Sequence, residues 1–307
     1  MRHVPARYPW HPAIPWPIIG AMVDGLLFCD WDDPPAAMDL ERGYGDALDR
    51  VESLVEALGA VEASGRVPDE TARGMAVELY VLAPAIVNVA LNYRICVEFG
   101  LPLHPTVYFE LDGIFGDARV DESAAAAAFA LNVEAVALAR AAYRLDPGFR
   151  AAAESFRRSL PPGIQDFVYT GLRDKYTWRA AEPAKVRALA ASVAAVGVPS
   201  LAVGAAHGSI MAGLLLAEYL ACPLWFLRFS MFKRRDREPV VSARDEAWVR
   251  GFGPDVLAFD EDSASGTTLT LLAARVRLMA PEARTGAVIR HASSTFRPDH
   301  VGRTWWD

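Results

Sequence analysis

Cysteine is scarce in this chain: Cys29, Cys96 and Cys222 are the only three in 307 residues, far apart and without metal-ligand spacing. Their number argues against a disulfide framework and predicts buried, reduced thiols in a cytoplasmic setting. Positive charge is also in short supply. With 31 Lys and Arg against 38 Asp and Glu, the net charge of −7 argues against nucleic acid as the main partner and is compatible with a cationic one. The opening residues, Met1-Arg-His-Val-Pro-Ala-Arg-Tyr-Pro-Trp10, lack the continuous apolar core of a signal peptide. Neither an internal repeat nor a low-complexity linker is present. The apolar run 200–227 is interrupted by Gly204, His207, Gly208, Glu218 and Pro223, which mark strand, loop, helix and strand of a soluble core rather than a membrane span.

Apolar residues make up 52% of the chain and charged residues 22%, enough for a substantial core in two domains or one large one. The first 40 residues are rich in Pro and Trp and then acidic. Asp30-x-Asp32 there reads as a phosphatase-like nucleophile pair, as a solvated loop, or, with Asp33, as an acidic lip for a cationic acceptor. From 44 to 64 the apolar positions Tyr44, Ala47, Leu48, Val51, Leu54, Val55 and Leu58 have helical spacing, and Gly65 ends the run. Pro68-Asp69-Glu70 opens a central helix toward Phe99, apolar on every side over 77–90, with a kink expected at Pro84. Residues 106–109 suggest an extended segment, and helices are expected over 121–144, 148–159 and 183–195. Near Val198 the pattern changes from helical to alternating strand and helix.

The second half is organised around 256–269. Val256 to Phe259 reads as a short buried strand, followed by Asp260, Glu261 and Asp262, the small-residue run Ala264-Ser-Gly-Thr-Thr268, and a helix over 269–278. A tight turn at a helix start presents free amides and hydroxyls to an anion, while adjacent acids suit sugar hydroxyls or a metal ion. A ribose 5-phosphate needs both. A plainer reading is an ordinary Rossmann-like βα turn. Upstream, 201–204 reads as a strand and Ala205-Ala-His-Gly-Ser209 as a second loop opening a helix over 210–220. A further strand over 224–229 precedes the basic run Lys233-Arg234-Arg235, which by itself reads as a solvated loop. A third strand covers 285–291, and the tail is Arg297-Pro-Asp-His-Val-Gly-Arg-Thr-Trp-Trp-Asp307.

The stretch 256–269 resembles the phosphoribosyl pyrophosphate (PRPP) signature of type I phosphoribosyltransferases, and the tail resembles the hood of the 6-oxopurine enzymes of that family. The resemblance covers roughly 198–307 and implies the following roles. Asp260 and Glu261 hold the ribose 2′ and 3′ hydroxyls, and Ala264, Ser265, Gly266, Thr267 and Thr268 wrap the 5′-phosphate. Ala206, His207 and Gly208 hold the leaving pyrophosphate, with His207 either its cationic contact or a plain loop histidine. Lys233, Arg234 and Arg235 belong to a mobile loop that closes over it. His300 stacks on the acceptor, Val301 offers its backbone, and Asp260, Glu261 and Asp307 reach Mg2+ through PRPP or water.

Two departures bear on the acceptor. Ala264 stands where the 6-oxopurine enzymes carry an acid/base Asp, and Arg290 or His291 replaces their strand-end Lys. Alanine cannot take a proton, so Asp262 or a group from the helical half is the candidate base. The expectation is therefore an α/β, type I phosphoribosyltransferase-like parallel-sheet core at 181–307 behind a large, mostly α-helical domain at 1–180. Its activity would be transfer of 5-phosphoribosyl from PRPP to a small-molecule acceptor. An amino-sugar alcohol of the aminoglycoside type, as in antibiotic biosynthesis, is the preferred acceptor, with purine salvage and a non-catalytic PRPP-sensing regulator as alternatives. A homodimer is left open.

Overall fold

The computed structural model describes residues 35–101, 121–171, 177–229, 231 and 236–306. The readings of Asp30, Asp32, Asp33 and Cys29, of 106–109, of the basic run Lys233 to Arg235 and of Asp307 lie outside the described residues. Five parallel strands form the central sheet: β3 (Leu201–Ala206), β4 (Leu224–Arg228), β5 (Val256–Ser263), β6 (Arg284–His291) and β7 (His300–Trp305), in the order β4-β3-β5-β6-β7. Strands β1 (Leu40–Gly43) and β2 (Val168–Gly171) make a separate antiparallel pair that the sequence pattern did not announce. Both are short and mostly half-buried, with no alternating apolar face to signal them.

The helical half comprises α1 (Tyr44–Ala63), α2 (Glu70–Leu82), α3 (Pro84–Glu98), α4 (Glu122–Tyr143) and α5 (Phe149–Ser159). Each begins or ends where local chemistry requires it. Asp69 caps α2 by accepting from the Ala72 amide at 2.9 Å, and Asp121 caps α4 by accepting from Ser123 at 2.9 Å. Pro84 does more than kink a long helix. It stands at the first position of α3, so the expected single helix is divided into two. The run 70–98 and α4 are each long and apolar enough to cross a bilayer. They also carry Arg94, Glu98, Asn132 and Arg140 buried among their neighbours, a composition suited to core helices.

Helices α6 (Thr177–Ala180), α7 (Pro183–Ala194), α8 (Ser209–Leu220), α9 (Ala243–Gly251) and α10 (Thr267–Arg277) complete the chain. Alternate residues of the strands serve two cores. Val203, Trp225 and Ala258 belong to one, packed with Val249 of α9 and Leu272 of α10. Ala202, Phe226, Phe259 and Val288 belong to the other, which is continuous through α7 and α8 with the helical half as far as Met38. The two halves thus share one body of buried side chains. Helix α8 lies unusually close to the sheet because Gly204 and Gly213 leave room for rings: a Cβ on either would sit 2.6 Å from Phe259 Cζ. Cys96 and Cys222 are buried free thiols, and burial pushes Cys222 up to about 12, so it is no nucleophile.

Polar ties fix the halves in register. Arg140 of α4 donates to the Cys222 and Ala217 carbonyls at 2.9 and 3.2 Å and pairs with Glu218, holding the C-terminal end of α8 where a cation is favoured. Tyr80 of α2 donates to the Ala181 carbonyl at 2.6 Å, between α6 and α7. Arg94 of α3 pairs with Asp245 of α9 at 2.5 Å, both fully buried.

Candidate active site at the switch point of the sheet

Chain order reverses between β3 and β5. From β3 the chain steps outward to β4, then returns to lay β5 on the other side of β3. Crevices beyond the carboxyl ends of strands at such a point are where ligands bind in open α/β sheets. Here the crevice has a definite start. Pairing of β3 with β5 ends at Gly204–Phe259, whereas β5 continues along β6 through Ser263. The strand expected over 256–259 therefore runs four residues further, and Asp260, Glu261 and Asp262 stand on its one-sided extension.

The loop after β3 closes on those acids. Ser209, first residue of α8, places its Oγ 2.6 Å from Glu261 Oε2 and 3.1 Å from Asp260 Oδ1, and receives the Glu261 amide at 3.2 Å. A hydroxyl has a single hydrogen, so it cannot donate to both carboxylates at once. Asp260 is only 4% exposed, and burial, with the charge of Glu261 next, raises its pKa well above the ordinary carboxylate range. Burial thus favours the protonated form of Asp260, and Glu261 Oε2, the shorter contact, accepts from the Ser209 hydroxyl. Gly208 lies in the same contact: a Cβ there would fall 1.8 Å from Glu261 Oε1. Gly208→Ala should accordingly swing the Glu261 carboxylate away while the half-exposed side chain relieves the clash. Affinity for a ligand on the acids is expected to fall about tenfold, the range of one charged hydrogen bond. Calorimetry beside a melting curve checks this, and unchanged affinity would remove Glu261 from the site.

Loop Ala264 to Thr268 follows at the start of α10. Ala264, Ser265 and Thr267 are exposed, and Gly266 has φ of +84° at the helix N-cap. A side chain at Gly266 would be strained and would meet Phe296 Cβ at 2.4 Å, so glycine lets the turn lie against the segment after β6. Thr295 bonds the Ser265 carbonyl at 3.2 Å from the same segment. The first amides of α10 have no partner within the helix and face this turn. Thr268 Oγ1 lies 3.7 Å from Met231 Sδ, and Arg228 at the end of β4 pairs with Asp236 at 2.7 Å. The chain on both sides of 232–235 is thus anchored at this end of the sheet.

Ala206 is the buried last residue of β3, half-buried His207 and exposed Gly208 form the turn, and the Ala206–His207 peptide is cis. The structure brings Ala206 to Gly208, the acids and 264–268 to one end of the sheet. For Mg2+ the donor chemistry fits: two adjacent carboxyls offer hard oxygens, and a divalent cation would favour the charged form of Asp260 that burial and the Glu261 charge disfavour. Among the described residues no group of three metal-ligating side chains converges, so a bound ion would take further oxygens from its ligand.

The hood expectation needs correction. His300 and Val301 belong to β7, a strand of the sheet paired with Gly286 and Ala287 rather than a separate flap. His300 is 5% exposed, its Nδ1 3.2 Å from Ser192 Oγ of α7, so its ring is packed beneath a helix and cannot stack on an acceptor. Val301 spends its place in the β6 ladder. Other residues occupy the carboxyl ends of the outer strands. Asp262 Oδ1 lies 3.0 Å from His291 Nε2. The His291 ring is 5.2 Å from Trp305, and Arg179 of α6 lies 4.3 Å over Trp305. The sequence pointed to Asp262 and to the strand end at His291, but gave Arg179 and Trp305 no role. Spacing along the chain carries no trace of a contact between 179 and 305.

No family model matches the chain, and no curated protein matches it. Among solved structures it is similar to a purine phosphoribosyltransferase from Pyrococcus horikoshii OT3, at 19% identity over 40% of this chain and 82% of that one, with a TM-score of 0.32. A Helicobacter pylori xanthine-guanine-hypoxanthine phosphoribosyltransferase is similar at 15% identity over 38% of this chain and 76% of that one, TM-score 0.29. Likenesses of this size carry no argument, and the chemistry of the crevice has to stand on its own residues.

Proposed function

We propose that the protein transfers a 5-phosphoribosyl group from PRPP to a small-molecule acceptor and releases pyrophosphate. The observation that supports this best is the contact of Ser209 with Asp260 and Glu261, which joins an anion-suited loop to a diol-suited acid pair at the switch point. Asp260 and Glu261 take the ribose hydroxyls, Ala264 to Thr268 the 5′-phosphate, and Ala206 to Gly208 the pyrophosphate. Lys233, Arg234 and Arg235 are assigned to covering it.

In the reaction the acceptor's lone pair forms the bond to ribose C1. The C1–O bond to pyrophosphate breaks, its electron pair leaves with pyrophosphate, and the acceptor proton passes toward Asp262. Positive charge develops at C1, and the carboxylate of Glu261, joined by that of Asp260 once binding has released its proton, stabilises it. Magnesium, when bound, supplies neutralisation of the pyrophosphate charge. An amino-sugar alcohol as acceptor rests on the net negative charge and on Ala264 in place of an acid. The side chains around Asp262 favour different chemistry, taken up below.

Calorimetry with PRPP and Mg2+ tests the reading. Saturable binding in the micromolar range, weaker for ribose 5-phosphate without its pyrophosphate, is expected. Absence of heat with PRPP and Mg2+ would end it. Binding without pyrophosphate release on any acceptor would instead favour a PRPP-sensing regulator.

A further inference from the structure

Three places outside the PRPP-binding loops carry polar chemistry with no evident use. The buried set Arg94, Glu98, Asn132 and Asp245 joins the halves of the fold, and Arg94 and Asp245 already serve each other there. The acidic face of α1 is largely taken up by Arg150 and Arg157 of α5. The third place, at the carboxyl ends of β5, β6 and β7, is different.

Arg179 stands there without an anion. Its guanidinium is stacked 4.3 Å over Trp305 and 5.3 Å over Trp178, and among the described residues no carboxylate or carbonyl receives its side-chain N–H groups. Trp178 is 3% exposed, yet among the described residues its indole Nε1–H also has no hydrogen-bond partner. A buried donor left without an acceptor costs about 1–3 kcal/mol, so it signals an absent oxygen. Two neighbouring residues therefore both lack an acceptor. Stacking leaves the rim of a guanidinium open for the in-plane, two-point contact that a carboxylate makes. Next to them, across Trp305, lie His291 at the end of β6 and, against it, Asp262 on the same extension of β5 as the ribose-binding acids.

We infer that Arg179, with Trp178 and Trp305, forms the specificity wall of the acceptor site and takes an acceptor that carries a carboxylate beside its nucleophilic O–H or N–H. This rests on the phosphoribosyl-transfer reading for the position of C1, but the wall itself is a statement about Arg179. It gives the helical half a role at the site. Tyr80 of α2 bonds the Ala181 carbonyl, and Trp178 belongs to the core shared with the helices, so the helical half sets where Arg179 stands. An amino-sugar alcohol, itself a cation, would face this guanidinium unfavourably.

The test uses the full chain with PRPP and Mg2+ present. The probes are salicylate, its uncharged match salicylamide, and the cation 2-deoxystreptamine, with affinities read from tryptophan fluorescence and repeated in the Trp305→Phe protein to locate the signal. Salicylate should bind at least tenfold more tightly than salicylamide, and 2-deoxystreptamine more weakly than either. Arg179→Ala should erase the acid-over-amide preference, and Arg179→Lys should restore only part of it, since an ammonium keeps the charge and loses the stacked fork. PRPP affinity should be the same in the parent and in both Arg179 variants. Failure of PRPP to bind the parent would remove the phosphoribosyl-transfer reading alone, because salicylate would still separate from salicylamide through Arg179. Equal binding of acid and amide, tighter binding of 2-deoxystreptamine, no binding of any probe, or a preference that survives Arg179→Ala would each overturn the wall.

Discussion

Asp260→Asn should yield a protein that melts a few degrees higher than its parent at neutral pH and binds PRPP with Mg2+ at least about tenfold more weakly. Both effects have one cause. Asp260 sits buried beside Glu261, and burial first, then the neighbouring charge, lifts its pKa in the folded chain. A carboxyl with a raised folded pKa holds its proton more tightly folded than unfolded. Its contribution to stability is full below the ordinary carboxylate range and declines as pH rises from there toward the raised value. Asparagine mimics the protonated acid at every pH, so the decline should disappear. Relief of about 1–2 kcal/mol, the scale of one poorly accommodated buried polar group, corresponds to a few degrees in a chain of this size. The proposed function needs the opposite protonation state. Gripping a cation or a sugar hydroxyl requires the carboxylate, so binding should release a proton, seen as a calorimetric enthalpy that varies with the buffer. Loss of at least about a hundredfold in affinity is expected when Glu261→Gln is added, two charged hydrogen bonds at roughly 1.5–3 kcal/mol each. A double variant that binds like the parent, or an Asp260→Asn protein that melts lower, would contradict this account.

The second large effect concerns the fold. Asp245→Ala should cost about 3–5 kcal/mol, because it takes the hydrogen-bonded carboxylate from the buried guanidinium of Arg94 and leaves only Glu98, at 3.9 Å. The same carboxylate accepts from Trp225 Nε1 at 2.8 Å and from the Ser242 amide at 2.9 Å, closing the capping box of α9. Arg94→Met should be milder, since Asp245 keeps those partners. The pair spans the helical half and the β4 edge, so far-UV ellipticity and the fluorescence of Trp225 and Trp248 should change together in urea. Loss of less than about 1 kcal/mol, or transitions that separate, would show that the halves are not coupled through this contact.

How much of this was legible beforehand depended on whether the cause was local. Caps, glycines and apolar period are local, and the sequence located α1, α4, α5, α7, α8, α10 and the strands from β3 to β6 to within a few residues of the observed bounds. The acid-and-loop stretch at 260–268 was legible for the same reason. Pro84 was read as a kink where it divides a helix, because propensity alone does not say whether the turn before a proline will be kept. The tail failed differently. The resemblance made His300 a residue that stacks on the acceptor, but its place is decided by β6 and by Ser192 of α7, 108 residues away. Arg179 was invisible because its stacking partner, Trp305, lies at the other end of the second half.

Helix α8 has twelve residues, one end against the acids through Ser209 and the other held by Arg140 on the Ala217 and Cys222 carbonyls. A helix turns by about 100° for each residue. Adding or deleting a single residue inside it would therefore rotate one attachment a quarter-turn or more away from its mate. The segment works as a ruler of fixed length. Relatives that keep the acid pair yet differ in this helix by one residue must have moved or replaced the arginine that grips its far end.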